Sequence, residues 1–75
     1  MNRERRKEIK RIISELEMLK TDIEMVRDDE QEAYDNLPEG IQMSDRGSAM
    51  EESIESMEEA LSSIDEVIDS LNDIE

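Results

Sequence analysis

The sequence predicts an all-α protein, an antiparallel helical hairpin that assembles with further copies of itself. Two long segments carry apolar residues at alternating spacings of three and four, which is typical of helices with heptad seams. One short segment between them contains the single proline and both glycines, which indicates a turn. The third observation is size, because a chain of 75 residues buries too little surface for two helices to be stable alone.

The first segment predicts a helix over residues 3–36. Its spacing places the apolar side chains on one face of a helix, whereas no single face of a strand could hold them. Glu30 interrupts this seam, and Ala33 and Leu37 resume it. The seam residues are Ile9, Ile12, Leu16, Leu19, Ile23 and Val26.

The connection is predicted to span residues 37–47. The residue before a proline is disfavoured in the α conformation, so Leu37-Pro38 predicts the end of the first helix, and Gly40 can adopt a left-handed conformation there. Ser48 and Glu51 match the S-x-x-E capping box, which predicts that the second helix starts at residue 48. Ser44, followed by Asp45, is a competing start one turn earlier.

The second helix is predicted over residues 48–73. Ala60, Val67 and Ile74 widen its seam on one flank. A lone hairpin would leave about half of each seam side chain in water, so we expect two hairpins to pack into a four-helix bundle or a larger homo-oligomer. The seam residues are Met50, Ile54, Met57, Leu61, Ile64, Ile68 and Leu71.

Two methionines indicate a possible second contact surface. Met18 and Met25 are seven residues apart, away from the seam, on a face that is otherwise charged. Methionine adapts to irregular partners, so this pair is a candidate oligomer interface. The alternative is that they are scattered apolar residues of the kind found on most protein surfaces.

Composition excludes several classes of function. The chain has 23 acidic and 9 basic side chains, a net charge of −14, which disfavours nucleic acid and anionic membranes and favours basic protein surfaces. It has neither cysteine nor histidine, so we expect no metal site, no cofactor and no enzymatic activity. Apolar runs of two or three residues are too short to cross a membrane, and we expect a soluble, cytoplasmic protein.

A cluster of acids precedes the turn. Such a cluster could imitate the spaced phosphates of a nucleic acid and occupy a basic groove on a protein. The alternative is that it keeps the chain soluble, as charged surfaces do. The cluster comprises Asp28, Asp29, Glu30, Glu32, Asp35 and Glu39.

Polar residues of the loop and the basic N-terminus form a second candidate site. Residues 1–11 contain six basic and two acidic side chains, and arginine presents a planar donor fork to phosphate. These bases could instead pair with Asp69, Asp73 and Glu75 at the end of the second helix, and the loop residues could simply satisfy their own backbone. The candidates for a ligand site are Tyr34, Asn36, Gln42, Ser44, Arg46, Arg5 and Arg6.

The opening MNRERRKEI and the segment EQEAYDNLPEGIQMSDRGSAMEE resemble a type of small acidic protein encoded by bacteriophages and prophages. The similarity covers nearly the whole chain and implies a phage setting, with no catalytic or cofactor residue to carry over. The matching positions are Glu30, Gln31, Glu32, Ala33, Tyr34, Asp35, Asn36, Pro38, Glu39, Gln42, Ser44, Arg46, Gly47, Met50, Glu51 and Glu52.

A phage setting implies three functions to weigh. The first is an antagonist of host defence that binds a basic bacterial protein through its acidic surface, in the cytoplasm of the host cell. The second is an oligomer that sequesters a small nucleotide immune signal between the loop and the N-terminal arginines. The third is a structural coiled-coil adaptor, which needs only the two seams. The net charge favours the first, and the polar detail of the loop favours the second.

Overall fold

The computed structural model describes all 75 residues as an elongated antiparallel hairpin, so the prediction of an all-helical chain is confirmed. Helix α1 spans Arg3–Asp35, α2 spans Glu39–Gln42 and α3 spans Asp45–Asn72. The molecule measures 58 × 15 × 11 Å. No helix combines the length and the apolar character that a membrane crossing requires.

Helix α1 begins and ends close to the predicted residues. The Asn2 side chain caps its first turn, because Oδ1 accepts a hydrogen bond of 2.8 Å from the Arg5 amide. The helix ends at Asp35, three residues before Pro38, and Asn36 is its C-cap. Proline cannot continue the hydrogen bonding of a helix, which explains why the chain leaves the helix here.

The connection differs from the prediction in two ways. Gly40 lies inside the short helix α2, and no glycine has a positive φ, so a left-handed turn at Gly40 was wrong. The second long helix starts at Asp45, the earlier of the two starts, and the Ser48 amide already donates to the Ser44 carbonyl at 3.0 Å. Ser48 is therefore in the first turn of α3 and does not cap it. The capping box does not form because α3 begins at Asp45, with Ser44 at the N-cap position, one turn before Ser48.

Gly47 allows α3 to pass directly against the end of α2. It is the only buried residue within residues 36–50, and a Cβ atom added to it would overlap the carbonyl group and Cα of Gln42. These are backbone atoms, which cannot move aside as a flexible side chain can. A residue without a side chain is thus required at this position.

The core is a single thin layer between α1 and α3. Its buried apolar side chains are Ile13 on α1 and Ile54, Leu61 and Ile68 on α3, and none of them is completely buried. The heptad spacing of Ile54, Leu61 and Ile68 confirms the predicted seam of α3.

The predicted seam of α1 was partly wrong. Leu19 and Val26 are 55% and 57% exposed, and the most buried residue of α1 is Ile13, not Ile12. Beyond Ile13, the row of α1 residues that faces α3 continues at intervals of seven and consists of Lys20, Arg27 and Tyr34. The aliphatic stripe of α1 is wider than the contact between α1 and α3, so Leu19 and Val26 lie beside that contact and not in it.

Candidate interaction surfaces

One edge of the hairpin is closed by polar pairs at heptad spacing. Lys20 Nζ forms an ion pair of 2.6 Å with Asp65, the Tyr34 hydroxyl donates to Glu51, and the charge of Glu58 acts on Arg27 between them. We call this row the polar ladder: Lys20 paired with Asp65, Tyr34 bonded to Glu51, and between them Arg27, which forms its ion pair with Asp28 and lies within the field of Glu58. Its aliphatic stems and aromatic ring cover the core on this edge, while the charged groups reach water.

The ladder shifts the ionisation of its members. The hydrogen bond to Asp65 raises the pKa of Lys20. The pKa of Arg27 is also raised, chiefly by its hydrogen bonds to Asp28, of which the Nη2 contact measures 2.9 Å. The hydrogen bond to Glu51, followed by partial burial and the charges of Glu51 and Asp35, raises the pKa of Tyr34. A carboxylate acceptor favours the protonated phenol, which explains the direction.

The ionisation of Tyr34 gives a direct test of the ladder. Tyr34 is the only aromatic residue, so the ultraviolet absorbance of tyrosinate reports this group alone. We expect the folded chain to titrate above the ordinary tyrosine pKa of about 10. Glu51→Gln should move the midpoint back towards that value, and Glu52→Gln, the adjacent control, should not.

The sign of the linked stability follows from the raised pKa. The Tyr34 hydrogen bond stabilises the fold fully below the unfolded-state pKa, and this contribution is lost as the pH rises through the folded-state pKa. Thermal unfolding in alkaline solution should therefore become easier in the wild-type chain, and less so in Tyr34→Phe. An unchanged titration midpoint in Glu51→Gln would show that the two side chains do not interact in solution.

The opposite edge of the hairpin is open and apolar. A groove of about 540 Å³ runs between α1 and α3, and seven of its nine lining residues are hydrophobic. No polar pair crosses this edge. We call it the apolar groove, and its residues are Leu16, Leu19, Ile23, Val26, Met57, Ala60 and Ile64, with Asp22 and Ser56.

The predicted acidic cluster lies at the turn end of α1 and in α2. Asp28 pairs with Arg27, and Asp35 accepts a hydrogen bond of 3.0 Å from Gln31. Asp29, Glu32 and Glu39 are exposed and form no ion pair or side-chain hydrogen bond within the chain. Their full charge is therefore available to a partner.

The bases of the N-terminus form an exposed face of α1, with Arg3, Arg6, Lys7 and Lys10 around a depression of about 400 Å³. Arg6 shares the heptad position of the ladder residues, so this face lies on the ladder edge and away from the apolar groove. The predicted pairing of these bases with Asp69, Asp73 and Glu75 does not occur, since the ion pairs of the terminal end join Arg11 to Glu8 and Glu15.

The predicted loop site is mostly engaged in holding the loop. Gln42 Nε2 donates to the Tyr34 carbonyl at 2.9 Å, and the Ser44 hydroxyl donates to the Ile41 carbonyl. Asn36 is the C-cap of α1, while Arg46 is exposed and its side chain makes no hydrogen bond.

The N-terminal arginines lie far from this loop. Arg6 donates to the Met1 carbonyl at 2.8 and 3.0 Å, and Arg5 is exposed. Arg5 and Arg6 occupy the other end of a 58 Å molecule, so one chain does not bring them to the loop residues.

Met18 and Met25 are 68% and 61% exposed and lie outside the apolar groove.

The sequence analysis did not predict the apolar groove as a separate surface, because most of its residues belong to the predicted seams. The sequence feature that indicated an open surface was the flank formed by Ala60 and Val67, which makes the apolar stripe of α3 wider than α1 alone can cover.

Carboxylates along α3 do not converge. No group of three or more acidic side chains is arranged to hold a metal ion.

Comparison with known proteins found no matching family model, no matching curated protein and no matching solved structure.

Proposed function

We propose that this chain is a non-enzymatic, phage-type binding protein that antagonises a host defence by covering a basic surface of a bacterial protein in the host cytoplasm. We propose further that it acts as a homo-oligomer, with two hairpins packed into a four-helix bundle through their apolar grooves. The observation that carries both statements is the exposed surface of the hairpin, which is apolar along one edge and acidic, without internal partners, at the turn end.

The exposed area supports self-association. The chain exposes 5847 Å². A compact monomer of 8.8 kDa is expected to expose about 4,800 Å², so the excess is about 1,000 Å². Stable interfaces bury about 600–1,000 Å² on each partner, so one contact along the groove accounts for the excess.

The arrangement of charge supports a basic partner. The turn end carries the exposed acids Asp29, Glu32 and Glu39, which have no partner in the chain. A compact field of one sign accelerates the capture of an oppositely charged surface and repels nucleic acid. The resemblance to small phage proteins supports the setting, and a stoichiometric binder needs no catalytic group.

A functional assay with charge-reversal variants tests this proposal. The chain is expressed in bacterial strains that each carry one defence system, and the plaquing efficiency of a restricted phage is measured. We expect the wild-type chain to restore plaquing in at least one strain, and Asp28→Lys/Asp29→Lys/Glu32→Lys to reduce this effect at least about tenfold. Such a loss requires only about 1.4 kcal/mol of binding free energy.

Matched variants separate the alternatives. The control Glu66→Lys/Asp69→Lys/Asp73→Lys changes the net charge equally at the other end of the hairpin, and it should retain activity. Loss of activity in Arg5→Ala/Arg6→Ala/Arg46→Ala, together with binding of a cyclic nucleotide by the purified wild-type chain, would favour nucleotide sequestration instead. Activity that survives all three sets would favour the adaptor. Circular dichroism verifies that each variant remains helical.

A further inference from the structure

We infer that the occupant of the apolar groove is a second copy of this chain lying antiparallel, with its turn beside the chain termini of the first. This inference rests on the proposed self-association and adds the orientation. Two independent features carry it: the unequal charge of the two ends of the hairpin, and the unequal size of the side chains along the groove.

The two ends of the hairpin differ strongly in charge. The turn end, residues 25–55, contains ten acidic and two basic side chains, a formal charge of −8. The terminal end, residues 1–14 and 65–75, contains seven acidic and six basic side chains, a formal charge of −1. The hairpin therefore concentrates its negative charge at one end of a 58 Å long molecule.

This difference disfavours a parallel pair of hairpins. Packed helices lie about 8–10 Å apart, so a parallel pair would hold two turn ends of charge −8 side by side. The screening length at physiological ionic strength is about 8 Å, which is comparable to this separation, so salt would weaken the repulsion between the two turn ends without removing it. An antiparallel pair separates the two turn ends by most of the length of the molecule and places each beside a nearly neutral terminal end.

The side chains along the open edge become smaller towards the turn. On α1 the exposed flank runs, at intervals of seven, from Ile12 through Leu19 and Val26 to Ala33. On α3 the corresponding flank runs from Val67 through Ala60 to Ser53. Both helices thus carry large side chains near the termini and small ones near the turn.

This taper favours the same orientation as the charge. A parallel copy would oppose large to large at one end and small to small at the other, and the two faces would meet only at the terminal end. An antiparallel copy opposes Ile12 to Ala33 on α1 and Val67 to Ala60 on α3, so the distance between the two hairpins is even along the contact. Even packing without voids is what protein interiors require.

A single spin label determines the orientation. Met43 lies in the connection, is 82% exposed and lies outside the apolar groove, and the chain has no cysteine, so Met43→Cys places one nitroxide at the turn. Pulsed electron paramagnetic resonance then measures the distance between the labels of two copies. In the antiparallel pair we expect about 50 Å, whereas a parallel pair of helices about 10 Å in diameter would give less than about 25 Å.

A mixed sample provides a positive signal. Chains labelled at Met43→Cys and chains labelled at Glu75→Cys, combined after dissociation, should give a new distance below about 30 Å in the antiparallel pair alone. A short Met43 distance would overturn the inferred orientation and leave the proposed self-association intact. A monomer in sedimentation at high micromolar concentration, with no coupling between labels, would overturn both and leave the groove to another protein or a small apolar ligand.

Discussion

The Gly47→Ala variant is expected to unfold about 10 °C below the wild-type chain at equal protein concentration. The added methyl group would overlap the backbone of Gln42, so α3 must move away from α2 or the first turn of α3 must unwind. Overpacking of this kind costs about 1–3 kcal/mol. In a domain of this size each kcal/mol changes the unfolding temperature by about 4–8 °C. Thermal unfolding followed by circular dichroism measures the effect.

Gly40→Ala is the matched control for this prediction. Gly40 is also helical, but nothing lies within 4 Å of a Cβ atom placed on it. Alanine is favoured over glycine in a helix by up to about 1 kcal/mol, so this variant should be unchanged or slightly more stable. If Gly47→Ala were stabilised as well, the close contact between α2 and α3 would be absent in solution.

The second large effect is expected for Leu19→Glu, which should raise the dissociation constant of the proposed homo-oligomer at least about a hundredfold. Leu19 lies in the apolar groove, and each copy would bring a carboxylate into the contact without a partner. The desolvation of an unpaired charge costs several kcal/mol, and about 2.7 kcal/mol already corresponds to a factor of one hundred. Sedimentation equilibrium measures the constant, and helical content should persist because Leu19 is 55% exposed in the hairpin.

Met18→Glu makes the same change at the neighbouring residue. Met18 is more exposed than Leu19 and lies outside the groove, so its substitution should leave the dissociation constant within about threefold of the wild-type value. The reverse outcome, with dissociation by Met18→Glu and none by Leu19→Glu, would identify the face of Met18 and Met25 as the oligomer interface.

The helices of this chain could be predicted from the sequence because their signals are local. Helix α1 ends within one residue of the prediction, since Pro38 restricts the residue before it whatever the rest of the chain does. The seam of α3 was also correct, because Ile54, Leu61 and Ile68 are the centre of a single apolar stripe. Both results follow from the backbone and from periodicity alone.

The facing edge of α1 could not be predicted in the same way. Apolar spacing alone favoured Leu19 and Val26, yet the edge that contacts α3 carries Lys20 and Arg27. Long basic side chains can line a contact when their stems pack and their charged groups find acids, which depends on the opposite helix and not on the local pattern.

Gly47 was missed for a similar reason. Its requirement arises from the approach of α2 to α3, a contact between segments that a periodic pattern does not describe. The candidate loop site was affected as well, because the hydrogen bonds of Gln42 and Ser44 to backbone carbonyls depend on α2, which was not predicted.

The seven-residue spacing of the polar ladder leaves a second alignment of the hairpin open. If α3 slid along α1 by one heptad, Lys20 would lie opposite Glu58 and Arg27 opposite Glu51, so opposite charges would still meet. That mispaired form would turn around Glu39 and Gly40, and Tyr34 would lie opposite Ser44 and lose its hydrogen bond to Glu51. The close fit of Gly47 against the backbone of Gln42 also belongs to the native alignment. The absence of one methyl group therefore helps to hold the two long helices in their native alignment.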